Sequence, residues 1–294
     1  MIRTPFQFHA PRSLEEAIQT LLKSEQRGEE VKILAGGQSM LPAMNLALVH
    51  PAHVVSLNHI PDLSYIRKDS NTIRIGACTS HQELFQSDTL RTDCPILCET
   101  AGGIGDVQVR NRGTLGGAIC HFDPAADYPA VLLLSEATFC ILGPGGERTC
   151  DADGFFLDYM TTSLEPADIL REIRVPVIPA QSGTAYLKFA RIEGGFAIVG
   201  VAARLTLHPD GTCESVRIAI CGGGPCPIRL HKLETTMINA PIDSDFLDTV
   251  SDAAYEAALD PLEELHANKE YKRCMVRVFT RRAVQKALER TSRR

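Results

Sequence analysis

Apolar positions in the first hundred residues alternate between helical spacing and short unbroken runs. A capping-box pattern at 13–16 precedes apolar residues three and four apart, namely Leu14, Ala17, Ile18, Leu21 and Leu22. Strands are predicted at 31–35, 54–57 and 72–75. The pattern Ser80-His81-Gln82-Glu83 predicts the start of a further helix. This alternation of helix and strand indicates a small α/β unit.

The second half of the chain has a different pattern. Strands are predicted at 138–142, 147–150 and 169–175, and a linker rich in Pro and Gly at 176–183. Further strands are predicted at 185–190, 197–207 and 216–220, with a Pro209-Asp210-Gly211 turn after the second of them. From Ser244 onward the pattern is helical. The chain is therefore expected to contain two units and to have an α+β fold.

Composition narrows the class of protein. The 294 residues suggest two domains, and 44% apolar with 22% charged residues exclude a disordered chain. A net charge of −6 disfavours nucleic acid as a partner. No apolar run reaches the roughly 18 residues of a membrane helix, and the N-terminus lacks an apolar signal core, so a cytoplasmic protein is expected. The 10 Cys are then expected to be thiols, and their spacing predicts no metal site.

The C-terminal segment 268–294 is strongly basic. It holds ten Lys and Arg against two Glu. Met275, Phe279, Ala283 and Ala287 share one helical face. The segment is interpreted either as a terminal helix with a solvated basic face, which is favoured, or as a docking helix for an acidic partner.

Two glycine-rich loops carry the chemical argument. Ala35-Gly36-Gly37-Gln38-Ser39 follows a predicted strand, and Gly113-Thr114-Leu115-Gly116-Gly117 follows Arg110-Asn111-Arg112. Successive glycines expose backbone N–H groups that can surround an anion such as a diphosphate, and Ser39 and Thr114 add hydroxyl groups. The spacing fits neither the dinucleotide-binding nor the P-loop pattern. These residues alone are compatible with two interpretations: a site for a bound phosphate compound, or two simple tight turns.

Downstream residues offer further candidates, each with a simpler alternative. Asp127, ten residues after Gly117, could accept hydrogen bonds from ribose-type hydroxyls. Asp123 is predicted to cap the next helix, with Pro124 in its first turn. His121 could be a base or a packed side chain, and Lys188 could face solvent or a cofactor ring or phosphate.

Several of these stretches resemble the FAD-binding medium subunit of molybdenum hydroxylases. This family includes the carbon monoxide dehydrogenase type and the flavin domain of xanthine dehydrogenase. The stretches that carry the resemblance are 35–39, 105–117, 121–127, 172–176, 188–191 and 196–200. Three positions depart from the family pattern: Ala118, where many relatives have Asn or Ser; Val107, often Pro; and Phe196, where some have Tyr.

The resemblance implies a two-part fold. Residues 1–177 would form an FAD-binding domain of the PCMH, or vanillyl-alcohol-oxidase, type with two α/β subdomains. Residues 178–294 would form a small C-terminal domain, a three-stranded antiparallel sheet with helices.

The resemblance also implies noncovalent FAD. Both glycine loops would grip its diphosphate, Thr114 and Asp127 would hold the phosphate and ribityl or ribose region, Ile104 and Leu170 would pack on the isoalloxazine, and Lys188 would lie near the flavin. The cofactor-binding residues expected are Ile33, Leu34, Ala35, Gly36, Gly37, Gln38, Ser39, Met40, Ile104, Thr114, Gly116, Gly117, Ala118, Asp123, Asp127, Leu170 and Lys188. No residue of this chain is expected to act as a catalytic acid, base, nucleophile or metal ligand.

The function implied is electron transfer. Electrons would come from a large molybdenum subunit through a small [2Fe-2S] subunit and would leave to an external acceptor. The resemblance implies that these subunits assemble as a dimer of heterotrimers. Two alternatives remain open: a self-contained FAD-dependent oxidoreductase, which would need an acid/base pair at the flavin, and a non-catalytic nucleotide-binding accessory subunit.

Overall fold

The computed structural model describes residue 2 and residues 4–291. The strands are β1 (Gln7–His9), β2 (Val31–Leu34), β3 (His53–Ser56), β4 (Ile66–Asp69), β5 (Thr72–Gly76), β6 (Thr138–Gly143), β7 (Gly146–Asp151), β8 (Phe156–Asp158), β9 (Thr161–Thr162), β10 (Ile169–Pro176), β11 (Ser182–Phe189), β12 (Val199–Leu207), β13 (Cys213–Cys221) and β14 (Ile228–Arg229). The helices are α1 (Leu14–Gln26), α2 (Met40–Asn45), α3 (His81–Gln86), α4 (Asp88–Asp93), α5 (Pro95–Gly102), α6 (Val107–Arg112), α7 (Leu115–His121), α8 (Asp127–Leu134), α9 (Ala152–Phe155), α10 (His231–Thr236), α11 (Ser244–Ala257) and α12 (Lys269–Thr291). The end of the basic segment, 292–294, lies outside the described residues.

The strands of the described residues form three sheets and the short hairpin β8–β9. A parallel sheet has the order β1-β3-β2, and an antiparallel sheet the order β4-β5-β10-β6-β7. The third sheet, β11-β12-β13-β14, is antiparallel. Each strand predicted before residue 177 is confirmed to within one residue at either end.

The C-terminal sheet corrects two predictions. It has four strands among the described residues, not three, because β14 adds a two-residue edge to β13. So short a strand has no periodicity to detect in a sequence. The predicted linker is also shorter than expected, because Ser182 and Gly183 already pair with β12.

Both predicted helix starts are found, and they differ in detail. At α3 the capping box is complete: Ser80 Oγ accepts from the N–H of Glu83 at 3.2 Å, and Glu83 Oε2 accepts from the N–H of Ser80 at 2.8 Å. At α1, Ser13 Oγ accepts from Glu16 N–H at 3.1 Å, but the Glu16 carboxylate accepts from Arg12 N–H instead. The second hydrogen bond of the predicted capping box at α1 therefore comes from the N–H of Arg12 instead of the N–H of Ser13.

The C-terminal sheet separates two hydrophobic cores. Alternate side chains of a strand point to opposite faces. Ala202 and Cys221 join the core that contains α8, whereas Ala203 and Ile220 join the core that contains α11 and α12. Every residue of α8 is buried. This helix is therefore enclosed between the N-terminal part of the chain and the C-terminal sheet.

The basic helix α12 is part of the second core. Ala283 and Ala287 are fully buried, as predicted for one face of this helix. A side chain on Gly183 would overlap the carbonyl oxygen of Ala287, so this glycine permits the close approach of α12 to β11. Although α12 has 23 residues, neither it nor any other helix in the described part is long and apolar enough to cross a membrane.

Much of the positive charge of α12 is paired within the chain. Arg277 lies 2.6 Å from Asp252 on α11, and Arg281 pairs with Asp248 of the same helix. Near the C-terminal end, Lys286 and Arg290 contact Glu99 of α5 at 3.0 and 2.8 Å. These four basic side chains are 35–54% exposed, so the favoured interpretation of a solvated basic face is retained, and its cations also pair with carboxylates of the same chain.

A buried carboxylate lies at the centre of the five-stranded sheet. Glu172 of β10 accepts hydrogen bonds from Tyr65 Oη at 2.5 Å, Arg74 Nε at 2.8 Å and Arg174 Nε at 2.7 Å. Burial alone would raise its pKa, but these hydrogen bonds and the Arg74 charge lower the pKa to about 2. The same contact, together with burial, raises the pKa of Tyr65 to about 12. Glu172 is therefore ionised throughout the neutral range.

The first prediction concerns acid stability. The folded pKa of Glu172, about 2, lies below its ordinary value of 4.5, so its stabilisation is complete above pH 4.5 and is lost as the pH falls toward 2. Glu172→Gln should therefore lower the free energy of unfolding by about 1.5–3 kcal/mol at pH 7. Urea unfolding measured at several pH values should show this deficit shrinking between pH 5 and pH 2. A deficit that is constant over that range would contradict the assignment.

Candidate functional site

A cavity of about 570 Å³ lies between the two predicted glycine loops. Thirteen of the predicted cofactor-binding residues line it: Ile33, Leu34, Ala35, Gly36, Gly37, Gln38, Ser39, Met40, Thr114, Gly116, Gly117, Ala118 and Leu170. The volume lies within the range of about 300–1,000 Å³ that is usual for cofactor and ligand sites. The tertiary structure therefore brings most of the predicted site together around one space.

The two loops touch through their backbones. A β-carbon on Gly36 would overlap the carbonyl oxygen of Arg112 and would lie 2.8 Å from Cα of Gly113. Gly37 has φ +77, in the left-handed region that favours glycine. A side chain at Gly36 would thus push the second loop away, instead of merely filling ligand space.

The two loops differ in their free hydrogen-bond donors. Within the part of the chain that the structure describes, the N–H groups of 36–39 donate no hydrogen bond to protein. In the second loop, the N–H groups of Leu115 and Gly116 donate to the carbonyl oxygens of Thr79 and Ala77 at 3.0 and 2.8 Å. Among the described residues, the N–H of Thr114 is the one amide of the second loop that donates no hydrogen bond, so most of the amides expected to be free fix the loop instead.

Thr114 starts the helix that follows the second loop. Its Oγ1 accepts from the N–H of Gly117 at 3.1 Å, which makes it the N-cap of α7. A β-carbon on Gly116 would lie 2.6 Å from Cβ of Ala77, so this glycine packs α7 closely on the protein. The second loop consequently sets the position of one cavity wall.

His81 lies beneath the second loop and was not predicted as a site residue. Its N–H donates to the Gly113 carbonyl at 2.9 Å, and its Nδ1 lies 3.1 Å from the hydroxyl of Tyr128. Burial, and secondarily the charge of Arg110, lower the pKa of His81 to about 4. The imidazole is therefore neutral at pH 7 and supports the loop. Its place in the capping box at 80–83 hid this role from sequence reasoning.

The opposite wall comes mainly from the segment between β9 and β10. Sequence reasoning identified Leu170 there but missed Met160, Thr162, Leu164, Glu165, Pro166, Asp168 and Ile169. Asp168 is held by Arg148 Nη2 at 2.6 Å and by Glu165 N–H at 3.0 Å. No local motif marks this segment, because it reaches the cavity only through the pairing of β10 with β5 and β6.

Cys78 is another cavity residue that the sequence did not suggest. It follows β5 and lines the cavity beside the second loop. Burial raises the pKa of its thiol to about 11. It is therefore a neutral thiol at pH 7 and not a reactive thiolate.

Four predicted residues do not line this cavity: Ile104, Asp123, Asp127 and Lys188. Asp127 and Lys188 form an ion pair of 2.9 Å, with 7% and 12% of their side chains exposed. Tyr186 donates to Asp127 at 2.5 Å, and Lys188 also donates to the Gly103 carbonyl at 2.9 Å, next to Ile104. Lys188 therefore faces the protein interior, not solvent.

Burial and charge act on Asp127 in opposite directions. Burial raises its pKa, and the neighbouring Lys188 and the Tyr186 hydrogen bond lower it without cancelling the increase. The pair joins the start of α8 to β11, across the junction of the N-terminal part and the C-terminal sheet. Its structural role must be separated from any role in binding.

Asp123 does not cap α8 as predicted. Its Oδ1 accepts from the N–H of Ala125 at 2.8 Å, which closes a turn, and the helix begins four residues later at Asp127 behind Ala126. The Asp123 carboxylate is used by the hydrogen bond within the turn, so it does not accept from the N–H groups at the start of α8. His121 lines the main cavity as an exposed side chain.

The arrangement is suited to a long phosphate-containing ligand. The free amides at 36–39 and the Ser39 hydroxyl can receive an anion. The apolar side chains of Ile33, Leu34 and Leu170 can cover flat aromatic groups. These features fit a dinucleotide cofactor with a planar ring.

Comparisons with known proteins agree with that chemistry. A family profile described as FAD binding domain in molybdopterin dehydrogenase matches residues 4–178, and one described as CO dehydrogenase flavoprotein C-terminal domain matches residues 184–287. The chain is 38% identical to the carbon monoxide dehydrogenase medium chain of Hydrogenophaga pseudoflava over 99% of both chains. It is 36% identical to the 6-hydroxypseudooxynicotine dehydrogenase complex subunit alpha of Paenarthrobacter nicotinovorans, covering 97% of this chain and 95% of that one.

Solved structures show the same likeness. Carbon monoxide dehydrogenase from Hydrogenophaga pseudoflava lacking the Mo-pyranopterin moiety of its cofactor matches with a TM-score of 0.94 and 39% identity over 99% of both chains. Quinoline 2-oxidoreductase from Pseudomonas putida 86 matches with a TM-score of 0.91 and 29% identity over 98% of both chains.

The second prediction separates the structural role of the Asp127–Lys188 pair from binding. Asp127→Asn should cost about 3 kcal/mol in the free energy of unfolding of the FAD-free chain, because it leaves the Lys188 ammonium buried and poorly paired. Adding Lys188→Met should recover part of that loss. Urea unfolding of both single variants and the double variant measures the coupling.

The exposed pair Asp248–Arg281 provides the matched control. Its side chains are 56% and 36% exposed, so Asp248→Asn should cost less than about 1 kcal/mol. Strictly additive effects of Asp127→Asn and Lys188→Met would show that the buried pair does not couple.

Proposed function

The chain belongs to the family of FAD-binding medium subunits of molybdenum hydroxylases, and on that premise we propose how its residues serve an FAD-carrying electron-transfer subunit. The observation that carries the proposal is the contact of the two glycine loops at Gly36 and Arg112, beside a cavity with free amides. Bound FAD supplies the redox chemistry, and the protein supplies binding, orientation and electrostatics.

Each part of the site has a proposed role. The amides at 36–39 and the hydroxyl of Ser39 bind the diphosphate, while the second loop and Thr114 fix the adjoining wall. Leu170 and the segment 33–35 cover the apolar parts of the cofactor. Lys188, with Asp127, orients polar groups near the ring, beside Ile104. Residues 1–177 act as the FAD-binding domain, and 178–294 as a C-terminal domain that covers it.

Two largely buried titratable groups of the cavity are unsuited to acid or base chemistry, and the exposed His121 and Glu165 also line it. His81 is neutral and hydrogen-bonded beneath the loop, and Cys78 is a protonated thiol at pH 7. Neither is suited to transfer a proton to an organic substrate. Neither of these two groups therefore supports a self-contained oxidoreductase.

The chain is proposed to act inside a larger complex. Similar proteins are described as a medium chain and as a complex subunit, and this supports partner subunits. We infer a large molybdenum subunit and a small [2Fe-2S] subunit, arranged as a dimer of heterotrimers in the cytoplasm, with electrons leaving to an external acceptor. Helix α12 is not proposed as the docking element, because Arg277 and Arg281 already pair with α11.

The third prediction tests the diphosphate site. Ser39→Asp places a negative charge beside the free amides at 36–39 and should weaken FAD binding by roughly tenfold or more, about 1.4 kcal/mol. Ser39 stands at the N-cap of α2, where Asp and Asn are both well tolerated, so the fold should persist. Titration of the FAD-free chain with FAD measures the affinity.

Ser39→Asn is the matched control, since it has nearly the same shape without the charge. It should keep FAD affinity within about threefold of the parent, well inside one tenfold step of 1.4 kcal/mol. Equal affinities for the Asp and Asn variants would remove the first loop from the diphosphate site. A parent chain that binds no FAD at all would favour the accessory-subunit alternative.

The fourth prediction distinguishes relay from catalysis. The isolated chain with bound FAD should be bleached by dithionite but should not turn over the organic substrate of the complete complex. Absorbance of the flavin and product analysis give the two readouts. Product formation by this chain with FAD alone would support the self-contained oxidoreductase.

A further inference from the structure

A second cavity, of about 320 Å³, adjoins the first. Tyr159 lines the second cavity and the next residue, Met160, lines the first. Likewise, His121 lines the first and Asp123 the second. The hairpin β8–β9 and the segment after α7 therefore form a thin wall between the two spaces.

The second cavity also borders the proposed position of the flavin ring. Its walls are joined by hydrogen bonds from Ala197 N–H to the Ala125 carbonyl at 3.1 Å and from Gly222 N–H to the Pro124 carbonyl at 3.3 Å. The same 194–197 segment contacts the turn after Ile104, where Gly105 N–H donates to the Gly194 carbonyl at 2.9 Å. A compound in this cavity would thus lie close to the ring end of a bound FAD.

Exposed rings dominate the apolar part of the cavity. Tyr159 and Phe196 are 53% and 61% exposed, and Leu262 is 41% exposed beside them. The two loops that carry Phe196 and Leu262 are tied by a 2.6 Å hydrogen bond between Arg191 and His266. Exposed aromatic faces on anchored loops are suited to stacking against a planar compound.

The polar part of the cavity is acidic. Asp123, Glu263 and Glu264 line it, against the single cation Lys272, for a net charge of −2. Lys272 has only 3% of its side chain exposed and pairs with Glu264. In the described residues, neither Asp123 nor Glu263 forms a salt bridge. Glu263 accepts a hydrogen bond of 3.5 Å from the N–H of Lys269, at the start of α12, whose ammonium pairs with Asp260. The field in this cavity therefore repels anions.

We propose that the second cavity receives the external electron acceptor and selects planar ring compounds that carry no negative charge, of which quinones are the simplest class. The proposal rests on the electron-transfer function proposed above. A quinone takes up two electrons and two protons from reduced FAD and leaves as the hydroquinone, which restores oxidised FAD. Anionic acceptors, including dinucleotides, are disfavoured by Asp123 and Glu263.

The test reverses the charge of one residue in the cavity and compares three electron acceptors that differ in charge. Glu263→Lys changes the cavity charge from −2 to 0. The probes are the cation N-methylphenazinium, the neutral duroquinone and the anion ferricyanide, each reoxidising the dithionite-reduced chain. Ferricyanide reduction should accelerate by roughly three- to tenfold, N-methylphenazinium reduction should slow by a similar factor, and duroquinone should change little.

The matched control is Glu214→Lys. Glu214 is exposed near the start of β13, roughly 25 Å along the strand from the cavity at Gly222. Its substitution by Lys changes the net charge of the chain by the same amount as Glu263→Lys. It should leave the ratio of the three rates unaltered. Equal effects of Glu263→Lys and Glu214→Lys on that ratio would overturn the proposal.

A binding measurement without FAD gives an independent readout. Equilibrium dialysis of N-methylphenazinium against the FAD-free chain should show weaker binding in Glu263→Lys by roughly three- to tenfold, and in Phe196→Ser through loss of stacking. Unchanged binding in both variants would overturn the proposal. So would a loss of FAD affinity in Glu263→Lys, since it would assign the cavity to the cofactor. Failure of the parent to bind FAD would instead refute the proposed function, and the dialysis would still decide what the cavity binds.

Discussion

The rest of the site depends on the backbone contact between Gly36 and Arg112. The two loops lie more than 70 residues apart in the chain, and only the absence of a side chain at Gly36 allows them to meet. Their contact closes one end of the main cavity and aligns the end of β2 with the start of α7. Because Leu115 and Gly116 use their amides to fix the second loop, the first loop retains the donors that an anion needs. The second loop therefore fixes the shape of the site, and the first loop supplies the donors that can bind an anion.

The junction between the N-terminal part and the C-terminal sheet governs the ring end of the proposed cofactor site. Helix α8 is buried on all sides there, so it packs against both the N-terminal part and the C-terminal sheet. Asp127–Lys188 and Glu99–Arg290 add ion pairs across that junction. Such pairs add specificity to packing that hydrophobic burial already stabilises. Access to the flavin and the stability of the junction are consequently linked through the same few side chains.

The distribution of charged side chains in this protein differs from what the net charge of the chain and of its basic C-terminal segment suggests. The basic helix α12 faces carboxylates of α11 and α5, so much of its positive charge is paired at the surface of its own chain. Of the carboxylates around the second cavity, Glu264 pairs with Lys272, whereas Asp123 and Glu263 form no salt bridge in the described residues. The acidic second cavity therefore supports the proposed acceptor selection, and the paired cations of α12 argue against docking through that helix.

The sequence by itself determined the longer strands, two helix starts and the first loop, because strand alternation, capping residues and glycine runs act over a few neighbouring positions. This is why the strands at 31–34 and 169–176 and the helix start at Ser80 could be predicted. Only the tertiary structure decided which amides stay free, which carboxylate Lys188 meets and which segment closes the cavity opposite the loops. These outcomes depend on competition for hydrogen bonds and on burial between residues far apart in the chain. Asp123 illustrates the limit: its side chain was suited to a helix cap, and the surrounding backbone instead bound it within a turn.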